Sequence, residues 1–418
     1  DLGPLFSPFY RTYGIASDNT LYAWGFLTNG TGLSVAIARS TPAQISTSQY
    51  SSVSAGQSFN VAVRTNGVQY FWGASDAQAY SPIYDAATNI AYSTLQFVQA
   101  NYESFLVVRA GSSHGAVIRD DYKLFTWGND TWGQLGTGSS VTIRSFPVQI
   151  GSSSWTQVAS SSQGGAAIRI DGALFTWGNA VILGDNSAIT KSSPVQIGTS
   201  SWIQVSAGSF AAAIRSDGGL FTWGPNGAGG LGQNDIVSRS SPVQVGTSSW
   251  TQLSASITNG STFAIRTDGG LFGWGLNTGG QLGLNDVLNR SSPVQVGTSS
   301  WIQVAAGTNN SFAIKTDNTL WGWGATPYTA DGSGVNRSSP VQILSTSWTQ
   351  VTVNSAGVLG IYNNQLYNWG DDDLGGGTGE ANYAPYPNVN WGFLNNSIPA
   401  TWNSVAVGPS HLAAIDNT

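Results

Sequence analysis

The chain has 418 residues with a net charge of −6, only 9% charged residues, 53 glycines, 17 tryptophans and no cysteine. No cysteine means no disulfide, zinc-thiolate or thiol catalysis, and an acidic balance argues against a nucleic-acid backbone as partner. No apolar run reaches 18 residues, so no membrane insertion by a helix is expected. The start at Asp1 and the absence of methionine are expected of a processed or excised chain.

Taken from the N-terminus, residues 1–12 read as an arm with Phe6, Phe9 and Tyr10, and residues 13–418 as one repeat domain. Its anchor is a Trp-Gly pair at Trp24, Trp72, Trp127, Trp177, Trp223, Trp274, Trp323 and Trp369, 46 to 55 residues apart. A second series, Trp155, Trp202, Trp250, Trp301 and Trp348, keeps the same period, which marks a true internal repeat. One unit reads, from Ser241, as a strand SPVQV, a turn GTSS, a strand WTQLSAS, a strand STFAIR, a turn TDGG and a strand LFGWG. Asp-Gly between two apolar runs is a strong hairpin signal. Strands such as AAAI (211–214) are small and apolar on both faces, which implies burial on both faces.

Four short antiparallel strands per period, covered on both sides, predict an all-β fold, a closed β-propeller of four-stranded antiparallel blades. Eight anchors favour eight blades, with seven the alternative. YGIASDNT (13–20) and HLAAIDNT (411–418) lie at the two ends, so the N- and C-terminal strands are expected to complete one blade together. One copy of that strand is then surplus.

Twelve of the fifteen basic residues occupy two slots of the repeat. Arg64, Arg119, Arg169, Arg215, Arg266 and Lys315 follow the third strand, and Arg39, Arg144, Lys191, Arg239, Arg290 and Arg337 precede the Ser-Pro. Acids two or four residues away favour a structural role for both rows, each cation tying one blade to the next. The competing reading is a ring for anions or a docked partner. The glycine-rich loops WGQLGTG (132–138) and AGGLGQND (228–235) lack a Gly-Lys-Ser/Thr ending and lead to no helix, so they read as turns. Asp371, Asp372 and Asp373 are the candidate metal ligands, since hard cations take oxygen clusters, but their spacing does not follow the EF-hand pattern. His114 and His411 both begin a third strand, and the only glutamates, Glu103 and Glu380, are far apart, so no catalytic residue and no cofactor is assigned.

The repeat is broken at 74–104, which carries Tyr80, Tyr84 and Tyr92, and at 371–401, which carries Tyr383, Tyr386, Trp391 and Phe393. Aromatic residues released from the repeat are candidate contacts for a protein or a glycan.

AAAIRSDGGLFTWGPNGAGGLGQND (211–235) and FAIRTDGGLFGWGLNTGGQLGLND (263–286) resemble the repeat of the regulator of chromosome condensation family. The shared features are the Ala-Ile strand, the Asp-Gly turn, the L-x-x-W-G strand and the Gly-Gln-Leu-Gly loop. The resemblance implies a β-propeller, usually of seven blades. The family's best-known activity is guanine nucleotide exchange while bound to chromatin. Here the acidic balance, the lack of a basic tail and the three lysines, Lys123, Lys191 and Lys315, depart from that activity. The near-identical RSSPVQ…GTSSW units look most like repeat arrays of bacterial surface and phage virion proteins. The expectation is a non-enzymatic structural or binding propeller on a virion or cell surface, meeting other surface components or a cell-surface glycan. The alternative is a regulatory propeller, exchange factor-like or an enzyme inhibitor.

Overall fold

A computed structural model of the protein describes residues 114–353 apart from 140–141, 257–259, 326–334 and 345–347, together with strand segments on either side. Nearly every described element is a strand, and neighbouring strands are almost all antiparallel.

One blade can be followed through its register. The second half of strand Lys191–Ala207 pairs with Ala211–Arg215 (Trp202 opposite Arg215, Ala207 opposite Ala211). That strand pairs with Gly219–Gly224 across the Asp-Gly turn, and Gly219–Gly224 pairs with the first half of Arg239–Ala255 (Thr222 opposite Val243, Gly224 opposite Arg239). At the turn, Gly218 takes φ +86° and the Asp217 carboxylate accepts the Gly219 N–H at 3.0 Å. A residue with a Cβ resists that dihedral, which is why glycine stands there. In the hairpin at 315–320 an asparagine, Asn318 at φ +63°, takes its place.

The 17-residue strand Arg239–Ala255 corrects the expected unit. GTSS (246–249) is not a turn but part of a continuous strand that leaves the edge of one sheet and enters the next, where Trp250 lies opposite Arg266. SPVQV therefore completes the preceding blade, and WTQLSA opens the following one. The chain does not reverse here, so no turn is needed. A kink suffices, at Gly246 with φ +60°.

The core lies between blades. Ala212 and Ile214 pack with Trp250, Leu253, Ala264 and Trp274 of the next blade, whereas Ala211 and Ala213 pack with Ile168, Leu174 and Trp202 on the other side. Alternate residues of one strand thus enter two different cores, because strand side chains alternate between faces. This is the reason AAAI is apolar throughout.

At the chain ends, Arg11–Ile15 pairs antiparallel with Thr20–Gly25 and parallel with His411–Asp416, which pairs in turn with Trp402–Gly408. The surplus copy of the third strand is accommodated as a parallel neighbour. Inside the two divergent segments, Gln96–Phe97 and Gly392–Phe393 pair with the L-x-x-W-G type strands before them and take the place of SPVQV.

Candidate contact surface

The two rows of cations lie at opposite ends of the strands. Arg215 closes the strand Ala211–Arg215 beside the hairpin turn, opposite Trp202, while Arg239 stands opposite the glycine of Trp-Gly, and Arg39, Arg144, Lys191, Arg290 and Arg337 stand likewise opposite theirs. Arg64 likewise ends its strand, opposite Tyr50.

In the hairpin row the guanidinium lies over the aromatic ring of the L-x-x-W-G strand, 4.8 Å from the Phe221 centroid for Arg215 and 4.8 Å from Phe272 for Arg266. Arg119 and Arg169 repeat this over Phe125 and Phe175, and the Lys315 Nζ sits 3.5 Å from the Trp321 centroid. Each arginine also pairs with the aspartate two residues on: Arg119 with Asp121, Arg169 with Asp171, Arg215 with Asp217 and Arg266 with Asp268. The hydrogen bond from the guanidinium, helped by a backbone N–H, holds the carboxyls of Asp171, Asp217 and Asp268 at about 2. In the opposite row, Arg239 reaches Asp235 at 2.5 Å and the Val237 carbonyl at 2.7 Å. Arg290 pairs with Asp286, and Arg144 donates to the Ser139 hydroxyl at 2.8 Å.

These ion pairs close within their own loops. The ties between blades come from other groups. Trp177, Trp223, Trp274 and Trp323 each donate the indole N–H to a carbonyl of the preceding blade's glycine loop, on Gln134, Ile182, Gly230 and Gln281, at 2.7 to 2.9 Å. On the inner strands, the Gln204 amide donates to the Leu253 carbonyl at 3.2 Å, and the Gln303 amide to the Val351 carbonyl at 3.2 Å while accepting the Val351 N–H at 3.0 Å. Solvent-exposed ion pairs contribute little, about 0–1 kcal/mol. Arg215→Ala is therefore expected to lower the urea midpoint only slightly; a large loss would mean that the guanidinium carries the blade.

The loop before the second cation row holds what the sequence reasoning missed. Between acid and base stand Ile236 and Val237, 66% and 60% exposed, and in the next blade Val287 and Leu288, 56% and 63% exposed. Ile189 and Val335, each two residues before its cation as Val237 is, sit at the same slot of their loops and are exposed too. Scattered exposed aliphatics are ordinary, but these recur in blade after blade at one end of the strands, as an apolar rim. Its sequence signal is apolar pairs, NDIVSR and NDVLNR, in a stretch with no strand pattern.

Of the candidate contacts from the divergent segments, Tyr80, Tyr84, Tyr92, Tyr383, Tyr386 and Trp391 lie outside the described residues, as does the Phe393 side chain, and so do Asp371, Asp372 and Asp373. Among the described residues no group of three or more His, Asp or Glu could hold a metal, and no helix is long and apolar enough to cross a membrane. His114 is buried, so its ring does not face solvent.

A family model, the regulator of chromosome condensation (RCC1) repeat, matches residues 122–168, 217–263 and 268–314. Among solved structures, yeast RCC1 (Prp20) bound to Kap60 aligns with a TM-score of 0.63 and 17% identity, over 81% of this chain and 86% of that one. Prp20p from Saccharomyces cerevisiae, described with its binding to Gsp1p and histones, aligns with a TM-score of 0.62 and 16% identity over 81% and 90% of the two chains. Human WBSCR16 aligns with a TM-score of 0.61 and 19% identity over 83% and 96%. At these identities the likeness speaks for the fold, and the repeat match accords with the Asp-Gly hairpin, the Trp-Gly strand and the glycine loop. The chain is a β-propeller that carries RCC1 repeats.

Proposed function

We propose that this propeller is a non-catalytic binding module whose contact surface is the face bearing the aliphatic rim. The observation that carries the reading is the recurrence of Ile236–Val237 and Val287–Leu288 at the same exposed slot of neighbouring loops. Rigid β-sheet holds the rim, and Arg239 and Arg290 are neutralised by Asp235 and Asp286 beside it. A surface of paired charges around exposed aliphatics suits a protein partner rather than a polyanion. Eight Trp-Gly strands, and the sheet that joins the two chain ends, support an eight-bladed closed ring; class averages from electron microscopy count the blades.

In the finer form of this reading the module is displayed on a virion or cell surface, which the near-identical repeats support. Antibody labelling of intact particles or cells tests that placement, and labelling only after lysis would defeat it. The second reading, a regulator resembling an exchange factor, is favoured by the likeness to Prp20p, whose structure is described with binding to Gsp1p. A nucleotide-release assay with a small GTPase separates the two.

The test of the rim is a variant carrying Ile236→Ser, Val237→Ser, Val287→Ser and Leu288→Ser. Since all four side chains are exposed, melting is expected to shift by no more than a few degrees. Retention of partners captured from the source organism, identified by mass spectrometry, is expected to fall at least about ten-fold, as for loss of an interface core. An unchanged set of partners at unchanged amounts would reject the rim as the contact surface.

A further inference from the structure

One loop departs from its neighbours in a way that opens a binding site. In the loops that end at Arg239 and Arg290, the acid of the ion pair is Asp235 or Asp286, and the residue after the second glycine is Gln233 or Leu284. Gln233 is tied down on its own sheet, its amide donating to Thr222 Oγ1 at 3.2 Å and to the Val243 carbonyl at 3.0 Å. In the loop that ends at Lys191, Ser187 replaces the paired acid and Asp185 takes the position of Gln233. A carboxylate cannot donate to those oxygens. Asp185 instead accepts the Ser187 N–H and hydroxyl at 3.0 and 2.8 Å, and its Oδ2 lies 4.0 Å from the Lys191 Nζ. The Asp185 side chain is 9% exposed and that of Lys191 31%.

Both groups line a cleft of about 510 Å³ between this loop, the strand Lys191–Ala207 and the Ser241–Pro242 start of the next outer strand. That size falls among small-molecule sites, about 300–1,000 Å³. Gln196, Trp202, Phe221 and Pro242 complete its walls. The Trp202 indole N–H is buried with no hydrogen-bond partner among the described residues, and its ring stands edge-on to Phe221 at 5.2 Å.

We propose that this cleft binds a neutral sugar or related polyol. The ammonium and the carboxylate are too far apart for a direct hydrogen bond, yet a single oxygen can lie about 2.8 Å from each. Only a group that both accepts and donates satisfies such a pair, and a hydroxyl does so. An anion on Nζ would face the Asp185 carboxylate, and a cation on the carboxylate would face Nζ, so the paired charges select a neutral ligand. Phe221 and Pro242 offer apolar surface to the C–H face of a pyranose, while the Gln196 amide and the Ser241 hydroxyl are polar groups for further hydroxyls. Ile189 of the rim stands on the same loop but does not line the cleft, and the site does not depend on the rim's being a protein contact.

The experiment is saturation-transfer NMR on the full chain, with methyl α-glucoside, methyl α-galactoside, methyl α-mannoside and N-acetylglucosamine as probes, and with inorganic phosphate followed by its phosphorus line width. The expected result is transfer from at least one of the sugars at millimolar concentration and no phosphate broadening. In the triple variant Asp185→Gln, Ser187→Asp, Lys191→Arg, which gives the loop its neighbour's residues at these positions, affinity is expected to fall at least about ten-fold with melting unchanged. Lys191→Ala, a change at a partly exposed side chain, is expected to give a similar loss if the triple variant misfolds. No transfer from any of the four sugars, transfer that survives both variants, or binding of phosphate in place of sugar would each overturn the proposal.

Discussion

Replacing Gly232 by alanine is expected to destabilise the protein by about 3–5 kcal/mol, whereas alanine at Gly246 is expected to cost only about 1 kcal/mol. Both glycines have positive φ, +70° and +60°, so both substitutions meet the left-handed backbone penalty of about 1–2 kcal/mol, partly offset by a stiffer unfolded chain. They differ in what a Cβ touches. At Gly246 nothing lies within 4 Å, but at Gly232 the new carbon would stand 2.7 Å from the Trp274 Nε1 of the next blade. That indole is fully buried and donates to the Gly230 carbonyl at 2.9 Å, so it has nowhere to retreat. Overpacking of a filled core adds about 1–3 kcal/mol, and a strained indole hydrogen bond about 1 kcal/mol. The same approach recurs at Gly136 on Trp177, Gly184 on Trp223 and Gly283 on Trp323. Urea denaturation of the two single variants decides the matter; equal losses would show that backbone strain alone operates and that the contact between loop and tryptophan is slack.

A second expected result concerns pH. His114 is completely buried at the start of the strand His114–Arg119, and burial lowers its pKa from 6.5 to about 4. Neither ring nitrogen has a hydrogen-bond partner among the described residues. Between pH 4 and 6.5 the unfolded chain binds a proton at this residue that the folded chain does not. Stability therefore rises with pH across that window, is complete above 6.5, and is lost as pH falls toward 4. The shift corresponds to about 3 kcal/mol at about 1.4 kcal/mol per unit. His114→Asn places there the residue that another blade already carries at Asn310. The variant is expected to flatten the pH dependence between 4 and 6.5. It should leave a separate loss below pH 3.8, where Asp171, Asp217 and Asp268, held at about 2 by their arginines, take up protons. If denaturation midpoints of the variant fall as steeply as those of the parent between pH 6.5 and 4, His114 is not the titrating group.

These effects trace to features that differ in how far they were legible. The Asp-Gly turn is a local matter, since Gly218 needs a positive φ whatever surrounds it, and the phrase RSDGG announces it directly. The Trp-Gly strand was equally visible, because burial of one large side chain per period leaves a regular mark. GTSS misled for a local reason as well: glycine and serine are turn residues by composition, and nothing nearby distinguishes a reversal from a kink in a strand crossing between sheets. The exposed aliphatics in NDIVSR are not legible in the same way, because a pair of apolar residues in a loop has no period to betray it.

What the sequence determined by itself is the repeat: a hairpin, a tryptophan anchor and a glycine loop, each specified by residues a few positions apart and copied around the chain. From these the all-β propeller fold follows, because strands apolar on both faces must be covered on both. What only the tertiary structure decided is which groups meet across blades. The partner of Trp274 is a carbonyl 44 residues away, and that of Gln204 is 49 residues away. Arg215, by contrast, finds its aspartate two residues on. Local spacing reveals the second kind of contact and is silent on the first, since the distance between blades depends on how whole sheets pack. The cleft beside Asp185 is of the same nature, a carboxylate shifted two positions along its loop whose meaning appears only once the next blade supplies its opposite wall.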